Sequence, residues 1–197
     1  MTTLTPRGRQ KSDRRAQLLA AAEQLMAERG YAAVRLEDIG AAAGVSGPAI
    51  YRHFAGKEAL LVELLVGIST RLLAGGQAVV AGADDAGTAL AGLIEFHLDF
   101  ALSEPDLIRI QDRDLSHLPG PALRQVRRAQ RRYVETWVGV LRELDPALAD
   151  DEARVMAHAA FGLMNSTPYL KTAARPAASS REVLRAMTIA ALNSGGS

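Results

Sequence analysis

The residues best suited to chemistry in this 197-residue chain stand close together: Tyr51, Arg52, His53 and Lys57, with Arg35 and Ser46 a little upstream. Their cationic heads, ring nitrogens and hydroxyls donate to phosphate oxygens and base edges, so the chemistry they suggest is non-covalent recognition of nucleic acid. Spacing decides whether they can act together. In Leu36 to Lys57, LEDIGAAAGVSGPAIYRHFAGK, the residues Leu36, Ile39 and Ala43 share one face of a short helix. Gly44 follows where a helix end favours φ > 0, and Val45 turns inward. Ser46 is placed to cap the next helix by accepting from the Ala49 N–H, and Pro48 falls in the first turn, where its missing N–H costs little. Ile50 and Phe54, four apart, anchor this second helix and leave Tyr51, Arg52 and His53 projecting. Two short helices across a glycine turn form a helix-turn-helix, whose second helix enters a major groove.

Other chemistries find less support. The four histidines lack partners at ligand spacing, since His97 and Asp99 are two apart on a helix and diverge; no metal is expected, and His97 and His158 read as core or pocket residues. No phosphate loop, nucleophile elbow or facing carboxylate pair occurs, so neither catalysis nor a cofactor is expected. Glu95 and Asp99 read as the wet face of a helix. The run RQVRRAQRR, Arg124 to Arg132, reads as a solvated face, with a phosphate site at Arg127 or Arg128 as the sharper alternative.

Composition sets the frame for these elements. With 48% apolar residues and only 5% aromatics, the chain can bury a sizeable core and favours helices. It has no cysteine, consistent with a reducing cytoplasm. The basic start MTTLTPRGRQKSDRR lacks the apolar run of a signal peptide, and no uninterrupted apolar stretch is long enough for a bilayer, so no membrane association is expected. Net charge is +1 overall, yet residues 1–57 carry nine cations against five anions while residues 58–197 carry fourteen against seventeen. The positive footprint therefore lies at the N-terminal end.

Periodicity and breakers predict an all-α chain of about nine helices. Residues 1–11 form a flexible basic arm, 12–57 a three-helix unit, and 58–197 a second helical domain. The first helix runs from Ser12 or Asp13 to about Arg29 and ends at Gly30. A fourth starts at Lys57-Glu58, its far end loosened by Gly75, Gly76 and Gly82. A fifth runs from Thr88 to about Ser103, a sixth from Asp106 to Leu115, and a seventh from Ala122 to Leu144. An eighth extends from Asp150 to about Leu170 with a kink at Pro168, and a ninth from Ser179 to Leu192. Small residues Ala153, Ala157, Ala160, Ala186 and Ala190 beside Val183 and Met187 suggest a face on the last two helices where two copies meet.

The run GVSGPAIYRHFAGKEAL resembles the recognition-helix signature of the TetR family of transcriptional regulators, V-S-x-x-x-[LI]-Y-x-[HY]-F-x-x-K-E-x-L after D-I-A-x-x-A-G. The resemblance covers Ala21 to Leu60 closely. It implies an N-terminal DNA-binding domain, a C-terminal ligand-binding and dimerisation domain, and a homodimer released from double-stranded operator DNA by a small-molecule effector. Tyr51 and Lys57 would hold phosphates, Lys57 from the start of the fourth helix. An effector-independent architectural DNA binder is the alternative. The family's C-terminal helices enclose a cavity, which here would draw on Phe96, His97, Phe100, Tyr133, Trp137, Phe161, Met164 and Asn165, with Arg127 at its mouth for a ligand such as an acyl-CoA thioester. Two departures stand out: Val34-Arg35 replaces a capping Ser or Thr, and the variable reading positions are Gly47, Pro48 and Ala49. Those three side chains carry no hydrogen-bonding group, which shifts base readout to Arg35, Arg52, Tyr51, Ser46 or the arm cations Arg7 and Arg9.

Overall fold

The computed structural model describes residues 6–170 and 177–193, the side chains at 6–8, 47, 48, 177 and 178 excepted. Its elements are α1 (Pro6–Arg29), α2 (Leu36–Ala42), α3 (Gly47–Ile50), α4 (Lys57–Ala81), α5 (Ala86–Ser103), α6 (Pro105–Asp114), α7 (Gly120–Leu144), α8 (Asp150–Met164) and α9 (Ala177–Asn193). Short 3₁₀ turns at Leu115–His117 and Thr167–Tyr169 complete them, and no strand occurs among the described residues.

The helix begins earlier than the expected arm allows. Residues 6–11 are helical, because Pro6 supplies a fixed φ at the first position and nothing after it stops propagation. Residues 1–5 of that arm lie outside the described residues, as does the Arg7 side chain. Leu18, Ala22, Leu25 and Met26 form the buried stripe of α1, which ends at Gly30 with φ +87°.

The chain forms two units, and neither is the simple sequence segment expected. Met1–Gly67 and Arg109–Leu123 make one, and Ile68–Ile108 with Arg124–Ser197 make the other. The first boundary falls inside α4 because Leu60, Leu61, Leu64 and Leu65 continue the buried stripe of the first unit. By length and composition α4 is apolar enough to cross a membrane, but here those leucines are buried against protein.

In the second unit, α5, α7, α8 and α9 enclose Leu93, Ile94, Leu98, Val134, Trp137, Val138, Val140, Leu141 and Met164. The N-terminus of α5 is capped by Asp85, which accepts from the Thr88 N–H at 2.7 Å. Glu95 and Asp99 are not merely a wet face. They pair with Arg181 and Arg185 of α9, which hold the Glu95 carboxyl below its usual range. Helix α8 stops at Met164 rather than near Leu170, since a 3₁₀ turn carrying Pro168 follows and the Thr167 hydroxyl donates to the Ala101 carbonyl at 2.6 Å.

Gly75 and Gly76 do not loosen α4. A Cβ built on Gly75 would lie 2.1 Å from Cζ of Phe96, and one on Gly76 2.4 Å from Cε2 of Tyr133, so the pair forms a notch into which two rings close. Gly139, at an exposed position of α7, has nothing within 4 Å of such a Cβ. Gly76→Ala should therefore cost about 1–3 kcal/mol by overpacking, whereas Gly139→Ala should gain roughly 0.5–1 kcal/mol through helix propensity; urea unfolding of the two variants measures both signs.

Candidate functional site

The helix-turn-helix is closed by backbone hydrogen bonds that only Gly44 can complete well. Its φ is +65°, and Gly44 N–H donates to the Ala41 carbonyl (3.1 Å) while Val45 N–H donates to that of Gly40 (2.8 Å). This paired pattern is a Schellman motif, and it turns the chain sharply into α3. Gly40 permits the close approach that follows, a Cβ there lying 3.2 Å from the Val45 carbonyl oxygen and 3.7 Å from Ile50.

Ser46 is the N-cap of α3, but not through its side chain: the Ala49 N–H donates to the Ser46 backbone carbonyl at 2.9 Å. The hydroxyl is left on an exposed residue. Arg35 is the N-cap of α2 and is likewise exposed. Its guanidinium has no acceptor and cannot cap, so only half of a capping box forms, Asp38 Oδ2 accepting from the Arg35 N–H at 3.0 Å. Ala49 is half-buried, Tyr51 and Arg52 are exposed, and the side chains of Gly47 and Pro48 lie outside those described. The Tyr51 hydroxyl donates to Glu37 at 3.1 Å, which ties α3 to α2 and raises the Tyr51 pKa.

Two expected DNA contacts are engaged within the fold, one of them through its backbone carbonyl alone. His53 is half-buried; its carbonyl accepts from Arg15 at 2.6 Å, and Arg15 lies 4.1 Å over the Phe54 ring while also pairing with Glu63. Lys57 is the clearer correction. Its ammonium donates to the carbonyls of Tyr31 (2.8 Å), Ala32 (3.3 Å) and Val34 (2.9 Å) and sits 4.4 Å over the Tyr31 ring. Three donors serve three carbonyls of the α1–α2 turn, which leaves none for a phosphate. Arg113 does the same for the end of α1, donating to Met26 and Ala27, while buried Asp114 accepts from the Tyr31 N–H at 3.2 Å. Sequence reasoning missed another group. Gln10, Lys11 and Arg14 from α1 line one groove with Arg52 and His53; the spacing of Lys11 and Arg14 on a helix is the signal that assigning an arm concealed.

In the second unit the residues expected to form a pocket are brought together, with one exception. His97 Nδ1 is 3.2 Å from the Tyr133 hydroxyl, and Nε2 is 3.0 Å from Asn165 Oδ1. Phe100, Trp137 and Phe161 pack around the imidazole with ring centroids 5.0–6.2 Å away. Phe96 borders the cluster from the α4 notch and Met164 from its core side. Burial pushes the His97 pKa down to about 4, and burial also raises that of Tyr133, so both are neutral at pH 7. Arg127 is not among them. It is exposed and lines a surface groove of about 590 Å³ with Arg124, Gln125, Arg128 and Arg131, because the arginines face opposite the apolar stripe of α7.

The face expected between copies is partly wrong. Ala153, Ala157 and Ala160 are buried within the chain's own core, where their small size lets α8 pack closely. Val183, Ala186, Met187 and Ala190 are exposed, and the exposed positions of α8 beyond its acidic first turn are instead Val155, His158, Ala159 and Gly162.

A helix-turn-helix bearing exposed cationic tips, followed by a separate helical unit with a buried polar cluster, defines a two-unit helix-turn-helix protein. The chain belongs to the TetR family: residues 18–64 match "Bacterial regulatory proteins, tetR family" and residues 83–169 match "Tetracyclin repressor-like, C-terminal domain". It is 30% identical over 132 residues to the HTH-type transcriptional repressor KstR2 of Rhodococcus jostii, covering 66% of this chain and 65% of that one. It is 38% identical over 68 residues to the HTH-type transcriptional regulator EthR of Mycolicibacterium smegmatis, about a third of each chain. The chain thus spans less than two thirds of these curated relatives. The fold is also that of the ketosteroid transcriptional regulator KstR2 of Mycobacterium tuberculosis, with a TM-score of 0.79 at 23% identity over 92% of this chain and 94% of that one.

Two outcomes follow from the geometry. Lys57→Met should lower stability by about 1.5–3 kcal/mol, the range for charge-assisted hydrogen bonds, as read from chemical unfolding. For His97, whose ordinary value is 6.5, the unfolded chain takes up a proton below pH 6.5 that the folded chain refuses until about pH 4. Stability contributed by this group is therefore present above pH 6.5 and lost as pH falls toward 4, by up to about 3 kcal/mol. Subtracting the stability–pH curve of His97→Gln from that of wild type should expose this difference.

Proposed function

We propose that this protein is a sequence-specific DNA-binding transcriptional regulator, a repressor that leaves its operator when a small, largely apolar effector enters the second unit. The observation that carries the reading is the exposed row Arg35, Ser46, Tyr51 and Arg52 across α2 and α3, flanked by the groove of Gln10, Lys11 and Arg14. Such a surface offers donors to base edges beside cations for phosphates. Arg35 is the principal base reader in this proposal, a guanidinium at the helix edge able to take guanine O6 and N7 together. The TetR family is one of regulators rather than enzymes, and cytoplasmic placement accords with that role. The named repressor role of the Rhodococcus relative supports repression here.

The effector would be held by the His97 cluster, whose aromatic walls and few polar atoms suit a mostly apolar molecule. An acyl-CoA thioester is one such effector, its acyl chain suited to the rings and its phosphates to the Arg124–Arg131 groove. Two copies would pair through exposed Val155, Ala159, Val183, Met187 and Ala190, matching two recognition helices to a palindromic site.

Fluorescence anisotropy on a randomised operator library tests this reading. Arg35→Ala should erase guanine preference at one or two positions, at about 1–3 kcal/mol each. Arg52→Ala should weaken all sequences alike and reduce the salt slope by roughly 0.9 per lost phosphate contact, while Lys57→Met leaves that slope unchanged. Uniform weakening by Arg35→Ala would reassign it to the backbone. Val155→Arg with Met187→Arg should give monomers in sedimentation with little operator affinity, since neither side chain is needed for the chain's own core.

A further inference from the structure

The polar atoms around His97 carry a statement about the effector that rests on the reading above. Asn165 presents its carbonyl oxygen to Nε2, so that nitrogen bears the imidazole hydrogen and donates. Nδ1 is then an acceptor, and the Tyr133 hydroxyl donates to it. Both imidazole nitrogens and both hydrogens are thereby used. One donor is left over. Trp137 is fully buried, and its Nε1–H has no acceptor at full hydrogen-bond geometry, the Tyr133 oxygen interacting with it only outside that geometry. A buried N–H without a full acceptor is costly, and a bound acceptor would return that cost.

Charge is absent as well. The groups that face the cluster are the imidazole of His97, the phenol of Tyr133, the amide of Asn165 and the rings of Phe96, Phe100 and Phe161, with no cation or carboxylate among the described contacts. A carboxylate or ammonium placed here would lose its hydration without an ion to replace it. Phe161, half-buried, packs 5.1 Å from the ring of fully buried Trp137, and half-buried Phe100 packs on His97, so a ligand reaches the indole by turning Phe161 aside.

We infer that the effector carries a neutral carbonyl oxygen on an apolar body, and that Trp137 Nε1–H is the group that recognises it. The ligand class is ketones, esters, thioesters or amides with rings or chains to fill the aromatic walls, and it excludes free acids and amines with the charged end at this position. Trp137 is thus a specificity-determining residue, while His97 and Asn165 position it by fixing Tyr133.

The chain has a single tryptophan, so its indole N–H gives one resolvable signal in ¹H–¹⁵N correlation spectra. Three probes of similar shape serve: 2-decalone, decalin and decalin-2-carboxylate, with affinities measured by equilibrium dialysis on the full chain. Wild type should bind 2-decalone about tenfold more tightly than decalin, the equivalent of one recovered hydrogen bond, and should bind the carboxylate more weakly than either. The indole signal should move downfield with the ketone and not with decalin. Trp137→Phe should bind 2-decalone and decalin equally, at the wild-type level for decalin. Should Trp137→Phe fail to fold, the indole shift in the wild-type protein decides alone. Equal binding of ketone and decalin by wild type, an unmoved indole signal, or a ketone preference kept by Trp137→Phe overturns the inference while leaving the effector site standing. Failure of all three probes to bind or to perturb the indole overturns both.

Discussion

Cations that end on backbone carbonyls hold the first unit together. Lys57 closes the turn after α1, Arg113 caps the end of α1, Arg14 reaches the Ala43 carbonyl at the end of α2 (3.2 Å), and Arg15 takes that of His53. Each meets the negative end of a helix or turn, where carbonyls lack intrahelical partners. This gives the short helices α2 and α3, too short to be stable alone, a fixed frame. It also changes the electrostatic accounting. The excess of cations in residues 1–57 includes groups already committed to the fold, so the charge left for a nucleic acid is concentrated on Arg35, Arg52, Lys11 and the exposed side of α1.

The second unit is governed by a different constraint, the satisfaction of a few polar atoms in an apolar interior. His97 stays neutral because desolvation outweighs the help of Asn165. Tyr133 is held between His97 and the Gly76 notch, so its position is set on one side by a hydrogen bond and on the other by contact. Small residues do the rest. Ala153, Ala157 and Ala160 bring α8 close, while the Arg181 and Arg185 pairs with α5 orient α9 so that Val183 and Met187 face outward.

What could be read from the sequence was whatever depends on side-chain pattern or on backbone conformations that single out one residue type. Gly30 and Gly44 were visible for that reason, as were the apolar stripes of α1, α5 and α7, whereas the grouping of His97, Tyr133, Trp137 and Asn165 was implied only by the family resemblance. The role of Lys57 was not, because its partners are main-chain carbonyls whose direction depends on a turn and not on any side chain. Ala157 misled for the opposite reason: a small residue permits close packing by any helix, and nothing local says whether that helix belongs to the same chain. The glycine pair in α4 reads as a weak point until the rings of Phe96 and Tyr133 are seen to fill it.

The discontinuity of the first unit bears on how the protein comes to exist in a cell. Arg113 and Asp114 are encoded some eighty residues after the turn they secure, so a nascent chain that has emerged only through α4 carries α1 to α3 without two of their fastenings. The usual order, in which the N-terminal unit folds as soon as it leaves the ribosome, here leaves these two contacts to be added later. A chain broken off before α6 therefore carries α1 to α3 without these two contacts on the turn after α1, and completing the first unit becomes a property of chains that have already begun to build the second.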